Sequence, residues 1–368
     1  LGADEHVVTL LLTLFSLGVG VGSLLCERLS GRMVEIGLVP FGSIGLTVFS
    51  VDLFLARPDL ATGPLVGIGG FLSEPGGWRV VTDVVLLGMF GGFYIVPLYA
   101  LIQARSEPSH RSRVIACNNI INSVFMVLSA AVAIALLQAG LTIPQLFLVT
   151  AIFNAAVALF IYDLVPEFLV RFLIWMLMHT VYRLRTRGLE KIPDEGACVL
   201  VCNHVSFVDA LILGGSVRRP TRFVMYYRIF SIPVLNWFFR TIKAIPIAGS
   251  RENPEMMARA FEKVSDCLRD GEVVCIFPEG GLSADGEIAR FRPGIERIIQ
   301  TDPVPVIPMA LRGLWGSFFS RRGGPAMAKV PRRFWSRIEL AVGDPVPPQD
   351  VNAGLLQQKV QELRGDWR

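Results

Sequence analysis

The sequence is short of charge. Of its 368 residues, 18% are Asp, Glu, Lys or Arg and 52% are hydrophobic, whereas soluble domains usually carry about 25% charge. The shortage is uneven. Residues 1–163 contain no lysine, 7 Arg and 10 acidic residues, a net charge of −3; residues 164–368 contain 28 basic and 21 acidic residues, a net charge of +7. This division excludes a chain that is water-soluble throughout, puts part of it in lipid, and marks a change of solvent near 163. Paired cysteines are also lacking. The six Cys, at 26, 117, 198, 202, 267 and 275, form no CxxC pair, which argues against a disulfide framework or a zinc cluster. No GxSxG elbow supplies a serine nucleophile. The basic residues are not organised around a nucleic-acid recognition motif. There is no initiator Met, and LGADEHVV leads into an apolar run without the basic start of a signal peptide. The N-terminus is therefore expected to be cut from a longer polypeptide.

Long hydrophobic runs are abundant. Five segments, 7–26, 35–56, 82–104, 115–138 and 142–163, approach the ~20 residues needed to cross a bilayer core. Charges fall in the joins: Glu27, Arg28 and Arg32, then Arg105, Arg111 and Arg113, then Arg171, Arg183, Arg185 and Arg187. The 57–81 join holds only Arg57 and Arg79 as basic residues, and 139–141 is uncharged. The positive-inside rule places the basic joins and everything after the fifth span in the cytoplasm, a multi-pass inner-membrane protein. Gly18, Gly20 and Gly22 permit close helix approach, with plain packing as their simplest use. Asp52 and Asp83 are expected at the interface, near span ends.

The stretch GSLLCERLSGRMVEIG (22–37) resembles the short basic loop between paired helices of major facilitator transporters. Glu27 and Arg28 stand in its acidic-basic positions and Gly31-Arg32 roughly follow; RSEPSHRSRV (105–114) fits the corresponding loop two helices later. The resemblance implies that the five spans correspond to helices eight to twelve of such a transporter.

Residues 164–187 combine apolar residues with Trp175, Tyr182 and terminal arginines, and read as an amphipathic helix at the interface rather than a sixth span. Beyond the turn-rich 188–196, strand-like ACVLVCN, TRFVMYY (221–227), TIKAIPIAG (241–249), EVVCIFPEGG (272–281) and VPVIPMAL (304–311) alternate with helical stretches such as 254–271. This pattern predicts an α/β layer architecture with polar residues at strand ends.

The stretch VLVCNHVSFVDA (199–210) turns polar at Asn203 and presents His204, Ser206 and Asp209 in quick succession. A carboxylate on one imidazole nitrogen leaves the other free to take a proton. His204 alone is equally readable as a packed histidine, and less readily as a metal ligand, since no second histidine stands at coordinating spacing. In FPEGG (277–281), Gly280 and Gly281 let backbone N–H groups approach an anion, although a turn after a buried strand explains them as well. Arg251 and Arg292 stand in the nearby SREN and FRPG stretches. Arg218, Arg219 and Arg222, or Arg332, Arg333 and Arg337, would meet an anionic donor or lipid headgroups or form a solvated face.

Together these residues closely resemble the glycerophospholipid acyltransferase family, which includes 1-acylglycerol-3-phosphate acyltransferases. Its N-H-x-S-x-x-D block is matched by Asn203, His204, Ser206 and Asp209. The resemblance implies His204 as the base on the acceptor hydroxyl and Asp209 as its support. The F-P-E-G-T-R-S block matches at Phe277, Pro278, Glu279, Gly280 and Ser283, but Gly281 replaces Thr and Leu282 replaces Arg. Glu279 and Gly280 are thereby implied in holding the acceptor, with Asn203, Ser206, Gly281, Arg251 and Arg292 as further substrate-binding candidates. Arg251 comes two residues late for the second block. VPVIPMA (304–310) resembles the fourth.

The expected organisation is therefore multi-domain: an all-α transmembrane bundle of partial major facilitator type (1–163), an interfacial helix (164–187), an α/β acyltransferase domain (188–345) and a C-terminal tail (346–368). The fusion resembles bifunctional 2-acylglycerophosphoethanolamine acyltransferase proteins. No AMP-forming acyl-activating domain is read in the residues up to Arg368, so acyl activation is not assigned to them. The implied activity is transfer of an acyl group from acyl-CoA or an acyl carrier protein thioester to a lysophospholipid. No tightly bound cofactor, metal or nucleic acid is expected; the partners are membrane lipids and, for the carrier-protein thioester, acyl carrier protein. The competing reading is a lysophospholipid transporter fragment with an idle lipid-binding domain.

Overall fold

The computed structural model describes residues 2–29, 36–56, 65–217, 219–231, 233–327 and 335–367. The Gly31-Arg32 pair, Arg57, Arg218, Arg332 and Arg333, singled out above, lie outside the described residues. The chain divides into two compact units, Leu1–Phe172 and Leu173–Arg368.

Among the described residues the first unit is built of helices, α1 (Glu5–Leu29), α2 (Leu38–Leu55), α3 (Ile68–Ser73), α4 (Pro75–Arg105), α5 (Arg111–Gln138) and α6 (Ile143–Leu164), with one isolated bridge between Ala3 and Val66. All but the short α3 are long and apolar enough to cross a membrane. The third span begins well before the expected 82. Glycines explain how α1 and α4 touch. A Cβ on Gly18 or Gly22 would strike the α4 backbone at Val85 or Met89, and one on Gly88 or Gly92 would strike α1. Small residues allow such approach where lipid gives no hydrophobic drive. Gly20 has open space instead. Between α6 and α2, Asn154 Nδ2 donates to Ser43 O at 2.9 Å and to Thr47 Oγ1 at 2.7 Å. Arg79 donates to both carboxylate oxygens of Asp52. Asp83, expected at the interface, is only 3% exposed.

The division between units falls inside α7 (Glu167–Thr180). At ~1.5 Å per residue α7 is about 21 Å long, too short to span a core of about 30 Å. There follow β1 (Tyr182–Arg187), β2 (Cys198–Cys202), α8 (Asp209–Ser216), β3 (Thr221–Tyr226), α9 (Pro233–Thr241), β4 (Ile245–Ile247), α10 (Pro254–Arg269), β5 (Val273–Ile276), α11 (Gly294–Thr301), β6 (Val306–Arg312), β7 (Ser336–Val342) and α12 (Ala353–Arg364). The strands form one sheet in the order β1-β7-β6-β2-β5-β3-β4. All neighbours are parallel except β6 and β7.

β2 shows how the sequence builds this unit. All five of its residues are buried, as in a parallel strand covered on both faces. Cys198, Leu200 and Cys202 face one core with Ile212 and Leu213 of α8. Val199 and Val201 face another with Val264, Ile295 and Leu356 of α10, α11 and α12. Because β2 and β5 are parallel neighbours, the polar residues that follow each meet at one end of the sheet.

Two expected boundaries are corrected. The segment 164–187 is only partly helical: β1 pairs with β7, and the Arg183 guanidinium lies 4.9 Å over the Trp335 ring. Residues 346–368 contain α12, whose Leu356 and Val360 are fully buried against the sheet, so they belong to the domain.

Candidate active site

The site is a loop held from three sides. It leaves β2 at Asn203, whose side chain is fully buried. Asn203 Nδ2 donates to Leu311 O at 3.0 Å, and its Oδ1 accepts Leu311 N–H at 2.8 Å. The amide thus continues the β2–β6 ladder by one side chain. Both ends of the Asn203 amide are thereby engaged by the backbone of Leu311. Ser206 is also fully buried and bridges Ser320, so it too shapes the loop.

His204 Nδ1 meets Asp209 Oδ2 at 2.9 Å. The same oxygen accepts the N–H groups of Val205 at 2.7 Å and Ser206 at 2.9 Å. Asp209 opens α8, where a negative charge suits the helix dipole. Its side chain is 0% exposed and that of His204 19%. Burial pushes the Asp209 carboxyl up, while His204, Ser206 and Val205 pull it back. With Nδ1 turned to the carboxylate, Nε2 is left to exchange a proton with a substrate. The ring stacks on Phe277 at 4.3 Å between centroids and 22° between planes.

The turn after β5 supplies the second wall. Glu279 Oε1 accepts His204 N–H at 2.6 Å and Oε2 accepts Ala289 N–H at 2.8 Å. The carboxylate is therefore occupied by backbone donors, and burial raises it above the usual Glu range. Ser283 N–H donates to His204 O at 2.8 Å. Its Oγ donates to Glu287 O and accepts Gly286 N–H. Gly280 needs its freedom, with φ +70° and the Arg292 guanidinium where a Cβ would lie. Gly281 has open space around it.

Of the candidate cations, the structure brings Arg292 to this turn, with its N–H on Pro278 O at 3.0 Å. Arg251 stands exposed between β4 and α10, and among the described residues no hydrogen bond or ion pair joins it to His204, Asp209 or Glu279. Its neighbour Glu252 is held by Tyr226, Tyr227 and Arg228. Arg222 pairs with Glu272, and Arg219 binds the carbonyls of Pro193, Gly196 and Gly271; both hold the fold. Sequence reasoning passed over Phe277 as a stacking partner and Ser283 as a clasp, although both stand in the F-P-E-G-T-R-S block. Among the described residues no group of three His, Cys, Asp or Glu could hold a metal ion.

A family profile described as Major Facilitator Superfamily matches residues 1–239, more than half of the sequence. The chain belongs to the Major Facilitator Superfamily. In this Major Facilitator Superfamily chain a multi-span helical region is fused to a C-terminal acyltransferase-type domain of mixed α/β fold. A profile described as Acyltransferase matches 183–312, which takes in His204, Asp209, Glu279 and Arg292. A chloroplastic 1-acyl-sn-glycerol-3-phosphate acyltransferase of Brassica napus is 31% identical over 137 residues, 37% of this chain and 39% of the relative. A 1-acyl-sn-glycerol-3-phosphate acyltransferase of Pseudomonas aeruginosa is 31% identical over 175 residues, 47% of this chain and 63% of the relative. The chain thus spans about two fifths to three fifths of these relatives' lengths. The crystal structure of the 1-acyl-sn-glycerophosphate (LPA) acyltransferase of Thermotoga maritima matches with a TM-score of 0.42 and 19% identity, over 69% of this chain and 99% of that one.

Proposed function

We propose that the α/β unit is an O-acyltransferase that moves a fatty acyl group from a thioester to the free hydroxyl of a lysophospholipid. The observation that carries this is the His204–Asp209 pair, whose ring is exposed enough to meet a substrate while its carboxylate is sealed from water. Support comes from the relatives' activity and from the Acyltransferase match over the same residues.

In the mechanism, Nε2 of His204 takes the acceptor hydroxyl proton as that oxygen attacks the thioester carbonyl. Asp209 holds the ring and offsets its developing charge. The tetrahedral intermediate collapses with C–S cleavage, and the imidazolium returns the proton to the leaving thiolate. The ester product and the thiol account for every atom. The donor is an acyl-CoA or an acyl carrier protein thioester. The fused helical region favours an acceptor delivered through the bilayer, as in bifunctional 2-acylglycerophosphoethanolamine acyltransferases. The basic joins support an inner-membrane protein whose catalytic domain faces the cytoplasm.

The test supplies the purified chain in detergent with lysophosphatidylethanolamine or 1-acylglycerol 3-phosphate and labelled acyl-CoA or acyl carrier protein. Product from the native chain and none from His204→Ala is the expected result. No product from any pair, with folded protein, overturns the reading.

A further inference from the structure

We propose that Arg321, acting with Arg292, holds the phosphate of the glycerolipid acceptor over the turn at Gly280–Leu282. This deepens the acyltransferase reading and rests on it. Arg321 lies beyond the stretch 183–312 that matches the Acyltransferase profile.

The backbone leading to Arg321 is fixed to the catalytic loop. Phe207 N–H donates to Phe319 O at 3.1 Å, and Ser206 bridges Ser320. Ser320 is itself fully buried, its Oγ donating to Ser317 O at 2.9 Å and accepting Gly316 N–H at 3.0 Å. From this anchored turn the exposed Arg321 side chain reaches Leu282 O, with Nη1 at 3.4 Å. Leu282 adjoins Ser283, which is bonded to His204. One guanidinium therefore comes to the turn from the loop after β6, while the Arg292 guanidinium covers Gly280.

Both cations are available. Arg222, Arg312 and Arg364 each have a carboxylate partner, but among the described residues neither Arg292 nor Arg321 has one. The carbonyl contact uses one of the five donors of Arg321. The N–H groups of Gly281 and Leu282 also make no hydrogen bond among the described residues. The acids closest to the turn in sequence are engaged: Glu279 by two backbone N–H groups, Asp285 by Glu287 N–H, and Glu287 by Arg364. Two planar guanidiniums and a pair of open amides match the oxygens of a phosphate, one residue from the segment that touches His204.

The experiment uses the full chain in detergent. Binding of 1-acylglycerol 3-phosphate, monoacylglycerol and inorganic phosphate is measured on a His204→Ala background, so that turnover is not needed; rates are measured with His204 in place. Arg321→Ala is expected to weaken binding of the phosphate-bearing lipid and raise its KM by about 10- to 100-fold. The affinity for monoacylglycerol and the KM for the acyl donor should not move, and Arg321→Lys should recover part of the loss. A risen donor KM with unmoved acceptor binding assigns the guanidinium to the donor's phosphates and overturns the proposal. So does unchanged binding in Arg321→Ala, or an affinity for inorganic phosphate equal to that for the lipid. If the chain binds the phosphate-bearing lipid through Arg321 yet transfers no acyl group, the acyltransferase reading fails and this one stands. Thermal melts of each variant show that a loss is not unfolding.

Discussion

Glu279 grips His204 by its backbone rather than by its ring, with Oε1 on the His204 N–H at 2.6 Å and Oε2 on the Ala289 N–H at 2.8 Å. A glutamine can accept only one of these donors and turns its own NH2 toward the other. Glu279→Gln should therefore lower stability by about 1–3 kcal/mol and reduce the rate by displacing His204. Melting curves and initial rates check this. Burial raises the Glu279 carboxyl, so the folded state binds its proton more tightly than the unfolded one. Its contribution is full below the ordinary Glu pKa and is lost as pH rises through the folded value. The Gln variant should lack that step.

Asp209→Asn separates support from catalysis. An amide oxygen still accepts the N–H groups of Val205 and Ser206, which the carboxylate holds at 2.7 and 2.9 Å. The loop should stay folded, but the charge that offsets the imidazolium is gone. We expect kcat to fall by about 10²- to 10⁴-fold with little change in acceptor KM. A rate within a few-fold of the native enzyme would assign the aspartate to the fold alone.

Acid resistance should depend on the pair Arg222–Glu272. The guanidinium holds the Glu272 carboxyl down to about 2, so its stabilising contribution is present above the ordinary Glu pKa and is lost as pH falls through about 2. The stability difference between the native chain and Glu272→Gln should be largest near neutral pH and shrink toward about pH 2. Denaturant melts across that range measure it. A constant difference would show that the pair contributes packing and not charge.

Gly280→Ala should both strain the turn and move a cation. The backbone there has φ +70°, and the new methyl would occupy the place of the Arg292 guanidinium. A cost of about 1 kcal/mol or more is expected from the backbone alone. A rise in acceptor KM should accompany it if Arg292 serves the acceptor. Gly281→Ala, in open space, is the control for the steric part.

The His204–Asp209 pair was legible because five residues spanning a strand end and a helix start can bring two side chains together, and the buried run of β2 announced the strand. Asn203 and Glu279 were visible as motif residues, but their partners were not. Each binds backbone N–H or C=O groups far away in sequence, and backbone groups carry no sequence signature. β1 escaped because an edge strand needs one apolar face: in YRLRTR only Tyr182 is buried, and three arginines point to a helix end at an interface. α12 escaped for the same reason. Two buried residues, Leu356 and Val360, dock it, too few to stand out from a polar tail. The five spans were the plainest feature, since a lipid core leaves little choice of residue. The α1–α4 contact was less plain, because Gly20 sits among Gly18 and Gly22 and only the outer two face α4.

The clasp between Asn203 and Leu311 joins positions 108 residues apart. During synthesis at about 5–20 residues per second, His204 leaves the ribosome roughly 5–20 s before its clasp does. The helical unit can enter the bilayer in that interval, but the reactive loop has nothing to close against until β6 emerges. Translation of β6 therefore decides when this loop can close, since Asn203 has its partner only once Leu311 is present.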